Sequence, residues 1–553
     1  MIKLLLIIPC LLSSICASAY DFEVDGIYYD VVSLSDLTCR VVSGENRYNG
    51  DIVIPANVSY SNKTLNVVDI AEDAFWSCEG MTGITIPNTI ISVGDNAFYN
   101  CRKLEYLKIE DGETALTLGV SGYSYNHSLF FDCPITSLYI GRNLMYSNLP
   151  FRNKKDIKDL TIGNFVTEIG KGAFSGCSGL TSVTIGNSVT EIGKSAFSGC
   201  SGLTSVTIGN SVTKIGSYVF AGCNGLTNVT IPNSATKIDS CAFYDCSSLT
   251  SVTIPSFVTE VGYWSFYGCN SLTSVTIPNS VTKIGESAFH GCSSLMSMTI
   301  GNSVIEIGKS AFEGCSGLTG VTIPNSVIEI GESAFEGSSG LANVTIGNSV
   351  TEIGKSVFEG CSGLTSVTVP NSVTEIGYMA FEGCSGLASV IIGNSVTKID
   401  SRAFYGCSGL TSVTIPNSVT EIGSDVFYGC RGLASVTIGN SVTKIGLDAF
   451  SYCSGLTELY LYSITPPVCN GVFAFNQYMT LNVYVPQKVL EAYRNADVWM
   501  NFWNLHGFDP TGIESIEIDG KDVRGRCYDL RGNRLDAPKR GINIINGRKV
   551  IMK

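Results

Sequence analysis

The chain has 553 residues, 44% hydrophobic and 15% charged, with a formal net charge of -13. The acidic balance argues against a nucleic-acid ligand, whose phosphates demand a basic surface, and suits a soluble protein that attracts basic partners. Length alone suggests several domains, but a repeat array escapes that limit because each unit touches only its neighbours.

Residues 1–19 are expected to be a signal peptide. Lys3 gives a positive start, Leu4 to Ile15 an apolar run too short to span a bilayer, and Ala17-Ser18-Ala19 a small-residue cleavage site. Cleavage after Ala19 is favoured over lipidation at Cys16, because bulky Ile15 precedes that cysteine where a small residue is usual. No other stretch is long and apolar enough for a membrane span.

Residues 20–66 are not yet repetitive. Phe22 to Tyr29 predicts two strands joined by an Asp25-Gly26 hairpin turn, and Val41-Val42 and Ile52 to Ile54 predict further strands. A repeat stack exposes an apolar end unless something covers it, so this segment is expected to be an N-terminal β cap. Residues 67–156 hold irregular repeats. Ala74-Phe75 with Cys78 and Ala97-Phe98 with Cys101 keep a pattern that an insertion between Glu110 and Ser128 interrupts.

From 157 to 461 the repeat is regular. Leu180 to Gly202 reads LTSVTIGNSVTEIGKSAFSGCSG and returns almost unchanged every 23 residues, with Cys177, Cys200, Cys223 and their successors as the ruler. Alternation over Ser182 to Ile185 predicts a half-buried strand, and Gly186-Asn187-Ser188 a turn. Val189, Ile192, Ala196, Phe197 and Cys200 complete an apolar set, with a second short extended piece around Thr190 to Ile192. One unit cannot bury its own apolar face, whereas stacked units can. The fold expected is a β-rich solenoid, since no segment of a coil is long enough for a stable helix. The pattern Leu-x-x-Val-x-Ile-Pro/Gly-Asn-Ser-Val-x-x-Ile-Gly-x-x-Ala-Phe-x-x-Cys resembles the BspA-like leucine-rich repeats of bacterial surface proteins. That resemblance implies a leucine-rich-repeat stack and an adhesive role towards host matrix proteins or other microbes.

The ladder cysteines are expected as buried free thiols. Each coil contributes one, Ser338 fills the place once, and residues stacked in register sit slightly beyond disulfide reach. Cys39, Cys241, Cys469 and Cys527 fall off the ladder.

Residues 462–510 break the rhythm at Thr465-Pro466-Pro467. Leu481 to Val485 predicts a last strand and Gln487 to Asn495 a short helix carrying Val489, Leu490 and Tyr493 on one side. With Trp499, Phe502 and Trp503 this segment resembles the closing cap of BspA-like repeats, the aromatics sealing the last coil. Residues 511–553 form a basic tail in which Ile542 to Ile545 and Arg548 to Met552 flank Asn546-Gly547, a strong hairpin signal. The tail resembles the C-terminal sorting tails of proteins exported by the type IX route of Bacteroidota; a small β module of another role is the alternative.

No catalytic or metal-binding pattern emerges. His127, His290 and His506 lie far apart in sequence, no phosphate-binding glycine loop is present, and the serines recur in near-identical coils rather than beside a base. The chain is therefore read as non-enzymatic, without a cofactor. Two surfaces remain as binding candidates. One is the hydroxyl-rich strand face, Ser182/Thr184, Ser205/Thr207 and onward. The other is an acidic zone. Glu306, Glu329, Glu352 and Glu375 occupy one repeat position in consecutive coils, and Glu313, Glu336, Glu359 and Glu382 another. Shared descent of near-identical coils would account for such rows; a site for a basic partner is the sharper reading, with a bridging divalent cation as an alternative. The function expected is a secreted or surface-attached protein that binds a protein or glycan on host or microbial surfaces. A structural spacer without a specific ligand is the alternative.

Overall fold

The computed structural model describes residues 20–119 and 129–510 except 470, 472 and 475, together with the backbone of short strands between Ile513 and Met552. The expected signal peptide and His127 fall outside the described residues. Contacts divide the chain into two compact units, residues 1–247 and 248–553. Both are β-solenoids, and together they comprise about 19 stacked coils of roughly 23 residues.

Every regular coil folds in the same way. In the coil from Leu180, the strand Ser182–Ile185 turns Val183 and Ile185 inward and leaves Thr184 exposed. Gly186 to Val189 makes the corner, closed by the Val189 N–H on the Gly186 carbonyl at 3.3 Å. The two-residue strand Glu191–Ile192 follows and buries Ile192. The third side is a run of turns in which local and coil-to-coil bonds alternate. Ala196 N–H donates to Gly193 O (3.2 Å) and Cys200 N–H to Phe197 O (3.2 Å), whereas Ser195, Phe197 and Gly199 donate to the next coil. Ser195 (φ 58) and Gly199 (φ 74) adopt the left-handed region, which a right-handed helix excludes.

Stacking repeats these bonds in parallel register. In the first unit Ser182 pairs with Ser205 and Glu191 with Lys214. In the second, Ser274 pairs with Ser297 and Lys283 with Glu306. Equivalent positions of the repeat therefore lie over one another. The buried phenylalanines form a stacked column from Phe75 to Phe243 in the first unit, with ring centroids 5.2–5.7 Å apart. A second column runs from Phe266 to Phe473 at 5.2–5.6 Å. Beside them the ladder thiols are buried and hydrogen-bonded. Cys200 Sγ donates to Phe174 O at 3.2 Å, and Cys384 Sγ to Phe358 O at 3.1 Å.

The first unit opens with the strands Phe22–Val24 and Ile27–Ser33, antiparallel across a turn in which both Asp25 (φ 49) and Gly26 (φ 79) have positive φ. This is the geometry an Asp-Gly hairpin favours. Thr38–Val41 then hands over to the parallel stack through Lys63–Ile70. Near the end of the second unit, Asn482–Pro486 and Asn504–Phe508 extend the long-strand sheet. The short helix is Leu490–Arg494, and Tyr493, fully buried, donates its hydroxyl to Ser463 O at 3.0 Å. Trp499 and Phe502 pack edge-on against Phe473, while Trp503 stays 76% exposed. In the tail, Gly541–Ile545 and Arg548–Met552 pair antiparallel within a five-stranded sheet.

Candidate functional site

The acidic zone lies wholly in the second unit, and its two rows occupy different sides of the coils. Glu306, Glu329, Glu352 and Glu375 sit at the start of the short second strands. Lysines bracket this row. Lys283 Nζ lies 2.8 Å from Glu306 Oε1, and Lys398 Nζ 2.7 Å from Glu375 Oε1. The middle members, Glu329 and Glu352, are exposed and have no ion-pair partner among the described residues. The hydrogen-bond ladder also breaks between them. Glu329–Ile330 ends one sheet and Glu352–Ile353 begins the next. Gly331 N–H donates to Ile307 O and Gly377 N–H to Ile353 O, each at 2.8 Å, but the equivalent bond from Gly354 to Ile330 is absent among the described residues. Adjacent like charges repel, and the gap stands where two uncompensated carboxylates meet.

The second row follows the buried phenylalanines on the turn side. Glu313 lies 3.5 Å from His290 Nδ1. Arg402 Nη2 lies 3.0 Å from Glu382 Oε1 as an ion pair, and the Arg402 guanidinium covers the Tyr405 ring at 4.5 Å. Burial raises the Glu382 carboxyl above the ordinary carboxylate range, with Arg402 opposing and Glu359 and Asp425 adding to the rise. Glu336 and Glu359, in the middle, have no ion-pair partner among the described residues. Lysines thus pair with both ends of the first row, Arg402 pairs with Glu382 and His290 lies beside Glu313, whereas Glu329, Glu336, Glu352 and Glu359 have no ion-pair partner among the described residues.

One charged residue escaped the sequence reading. Glu332 bridges Lys309 Nζ at 3.1 Å and Lys355 Nζ at 2.7 Å, and these two lysines hold its carboxyl below the usual range, Lys355 first. The signal was available. The repeat position after Ile-Gly reads Glu286, Lys309, Glu332, Lys355, an alternation of sign that stacking converts into the two ion pairs of Glu332.

The hydroxyl-rich strand face is present in both units. Thr184 and Thr207 are exposed in the first, and Thr322, Thr345 and Thr368 in the second, where Ile391 interrupts the row at 63% exposure. A hollow of about 840 Å³ lies over Thr299, Thr322 and Thr345. In the neighbouring row the hydroxyl protons are engaged: Thr204 Oγ1 donates to Thr181 O at 3.0 Å, and Thr411 Oγ1 to Ala388 O at 3.2 Å. Among the described residues no group of three or more His, Cys, Asp or Glu side chains is arranged to hold a metal ion, and no helix is long and apolar enough to cross a membrane.

A model of the BspA type leucine rich repeat region matches residues 56–126, 146–273, 259–388 and 380–496. Among solved structures, a leucine-rich repeat protein from Bacteroides ovatus is 26% identical, covering 80% of this chain and 94% of that one with a TM-score of 0.45. A leucine rich cell surface protein from Faecalibacterium prausnitzii is 24% identical, with the same coverage of the two chains and a TM-score of 0.28. A leucine-rich repeat protein from Eubacterium ventriosum is 23% identical over 53% of this chain and 91% of that one, with a TM-score of 0.36. No curated protein matches the chain.

Proposed function

Since the chain belongs to the BspA-type leucine-rich-repeat family, whose members are typically surface proteins, we propose that it is a secreted or cell-surface protein that binds a host or microbial macromolecule without catalysing a reaction. The observation that carries this reading is the unequal neutralisation of the acidic rows. Lysine, arginine and histidine attend the ends, and the four central carboxylates, Glu329, Glu336, Glu352 and Glu359, are left to act on whatever approaches. A field of one sign speeds the encounter with a basic surface and weakens with salt. The partner proposed is a macromolecule presenting lysine or arginine clusters, as matrix proteins do, and no cofactor is required.

The test is saturable capture of immobilised matrix proteins and mucins by the full chain at low and at physiological salt. Capture that saturates and falls with salt supports adhesion. Absence of saturable capture leaves the stack as a spacer.

The C-terminal strands are proposed to be a sorting module, on the resemblance of the segment from Tyr528 to Val550 to type IX export tails. Because contacts in a repeat array are local, removal of residues 513–553 is expected to leave the coils folded and to change where the protein accumulates. Unchanged surface location would exclude the sorting role.

A further inference from the structure

The outward face of the long strands changes character towards the end of the second unit. Through the regular coils it carries hydroxyls, and Thr414 lies in register with Thr437. The same register continues from Thr437 to Tyr460, from Tyr460 to Tyr484, and from Tyr484 to His506. Tyr462 and Phe508 stand two residues further along, on the same side, because side chains alternate along a strand. Leu459, Leu461, Val483 and Val485 point the other way and are fully buried. The five rings therefore lie outside the core. They touch one another: Tyr460 stacks on Tyr484 at 4.6 Å and 10°, His506 leans on Tyr484 at 5.3 Å, and Tyr462 meets Phe508 nearly perpendicularly at 5.2 Å and 78°. A perpendicular pair leaves ring surface open that a parallel stack would cover.

A depression of about 860 Å³ opens beside this cluster. Tyr462, Ile464 and Phe508 contribute apolar lining, and Asn440, Gln487, Lys488 and Asp509 polar lining. Ile464 is 72% exposed. The mixture, an apolar surface with a few polar groups beside it, is that of a small-ligand site.

A column of asparagines leads to the depression and ends at Asn440. In alternate coils of this unit an asparagine side chain accepts the backbone N–H of the next: Asn348 N–H donates to Asn325 Oδ1 at 2.8 Å, Asn394 N–H to Asn371 Oδ1 at 2.8 Å, and Asn440 N–H to Asn417 Oδ1 at 3.0 Å. Asn440, like Asn348 and Asn394, accepts no backbone N–H from the following coil among the described residues, and in that coil Tyr462-Ser463-Ile464 replaces the repeat's Gly-Asn-Ser or Pro-Asn-Ser, which places a ring beside it. Asn440 Oδ1 accepts only the hydroxyl of its neighbour Ser441, at 3.2 Å, and lines the depression with an amide that has spare donor and acceptor capacity.

We propose that this depression binds a sugar residue of a neutral glycan. A pyranose has one face of weakly positive C–H groups and a rim of hydroxyls. The C–H face packs on the negative face of an aromatic ring, and each hydroxyl both donates and accepts. Tyr462 and Phe508 supply the rings. The Asn440 and Gln487 amides supply paired donors and acceptors, and Lys488 a further donor. The proposal rests on the reading of the chain as a surface-binding protein and gives one part of it a ligand class. It is separate from the acidic rows, which would recognise charge.

The test titrates the full chain with neutral oligosaccharides, namely β-glucan, α-mannan and mucin-type tetrasaccharides, by saturation-transfer NMR and calorimetry. At least one is expected to bind saturably, with the ring C–H protons receiving most of the transferred magnetisation. Phe508→Ala and, independently, the exposed-site substitution Gln487→Ala are each expected to weaken binding at least about tenfold. Lys63→Ala, at an exposed position of the first unit, is expected to leave it unchanged. The proposal is overturned if none of these sugars binds, if both Gln487→Ala and Phe508→Ala bind like the parent, or if the site takes extended peptides and not sugars. Loss of sugar binding with continued salt-sensitive capture of matrix proteins would overturn this site alone. Loss of both in the parent chain would overturn the surface-binding reading as well.

Discussion

Ser338 Oγ lies 3.0 Å from the Phe312 carbonyl oxygen and donates to it, the same bond that Cys361 Sγ makes to Phe335 O at 3.2 Å one coil later. Cysteine is present in this column as a small buried group with one weak donor, and a hydroxyl does the same work. Cys361→Ser is expected to change stability by no more than about 0.5 kcal/mol, whereas Ser338→Ala, which removes one of the two hydrogen bonds to the Phe312 carbonyl and leaves that from Cys315 N–H, should cost about 1 kcal/mol. Cys361→Arg should unfold the neighbouring coils, because the guanidinium would be buried without a counter-charge. Urea titrations of the three variants rank them. A Cys361→Ser loss as large as that of Ser338→Ala would refute the equivalence.

The thiol column makes the fold sensitive to alkali. Burial pushes the Cys315, Cys361 and Cys453 thiols from an ordinary 9.0 up to about 12. In the folded chain they stay protonated to about pH 12, and in the unfolded chain they ionise from about pH 9, so unfolding releases protons in that interval. Their contribution is whole below about pH 9 and is lost as pH rises towards 12, at about 1.4 kcal/mol per thiol and pH unit. The urea midpoint should hold between pH 7 and 8 and decline steeply above 9. The double variant Cys361→Ser, Cys384→Ser should decline less steeply; identical slopes would show that other groups govern the loss.

The four uncompensated glutamates should be removable without harm to the fold. Replacing Glu329, Glu336, Glu352 and Glu359 by Gln relieves like-charge contacts and is expected to raise stability by about 1 kcal/mol. The same variant should capture basic partners less well at low salt and equally at high salt. Equal capture at both would leave the rows as a by-product of coil duplication.

Gly360 has φ 70, and a Cβ built on it would meet nothing closer than Gly337 Cα at 3.6 Å. The space is adequate, so any penalty is conformational. In the first unit Asp245 occupies the same column at φ 56. Gly360→Asn should therefore be mild and Gly360→Val should cost about 2 kcal/mol or more, since asparagine tolerates the left-handed region and β-branched residues do not. Thermal melts that fail to separate the two would show that the column adjusts its backbone.

The coil was legible because one set of residues is buried in every copy. Val183, Ile185, Val189, Ile192 and Phe197 each recur at the same offset, so the sequence averages away the exceptions. The ion pairs were less legible because the partners of Glu332 stand one coil to either side, and only a reading down the column brings Lys309 and Lys355 next to it. The aromatic cluster was hidden for a different reason. Beyond Leu461 the spacing slips, and the alignment of Tyr460, Tyr484 and His506 is set by strand register that no fixed period reveals. What the rows bind was not legible, since charge and hydroxyls at repeated positions arise from duplication as readily as from selection for a ligand.

The column of phenylalanines has a consequence for inheritance. Phe289, Phe312 and Phe335 stack 5.4 and 5.3 Å apart at nearly the same tilt, each meeting the same neighbours above and below. Excising the stretch between two such rings joins surfaces that already fit, and duplicating it inserts a floor identical to those around it. Nearly identical coding segments also misalign readily when DNA strands exchange. Alleles of such a gene are free to differ in length by whole storeys while every storey keeps its chemistry, so the number of acidic or hydroxyl-bearing steps offered to a partner can drift without any step being redesigned.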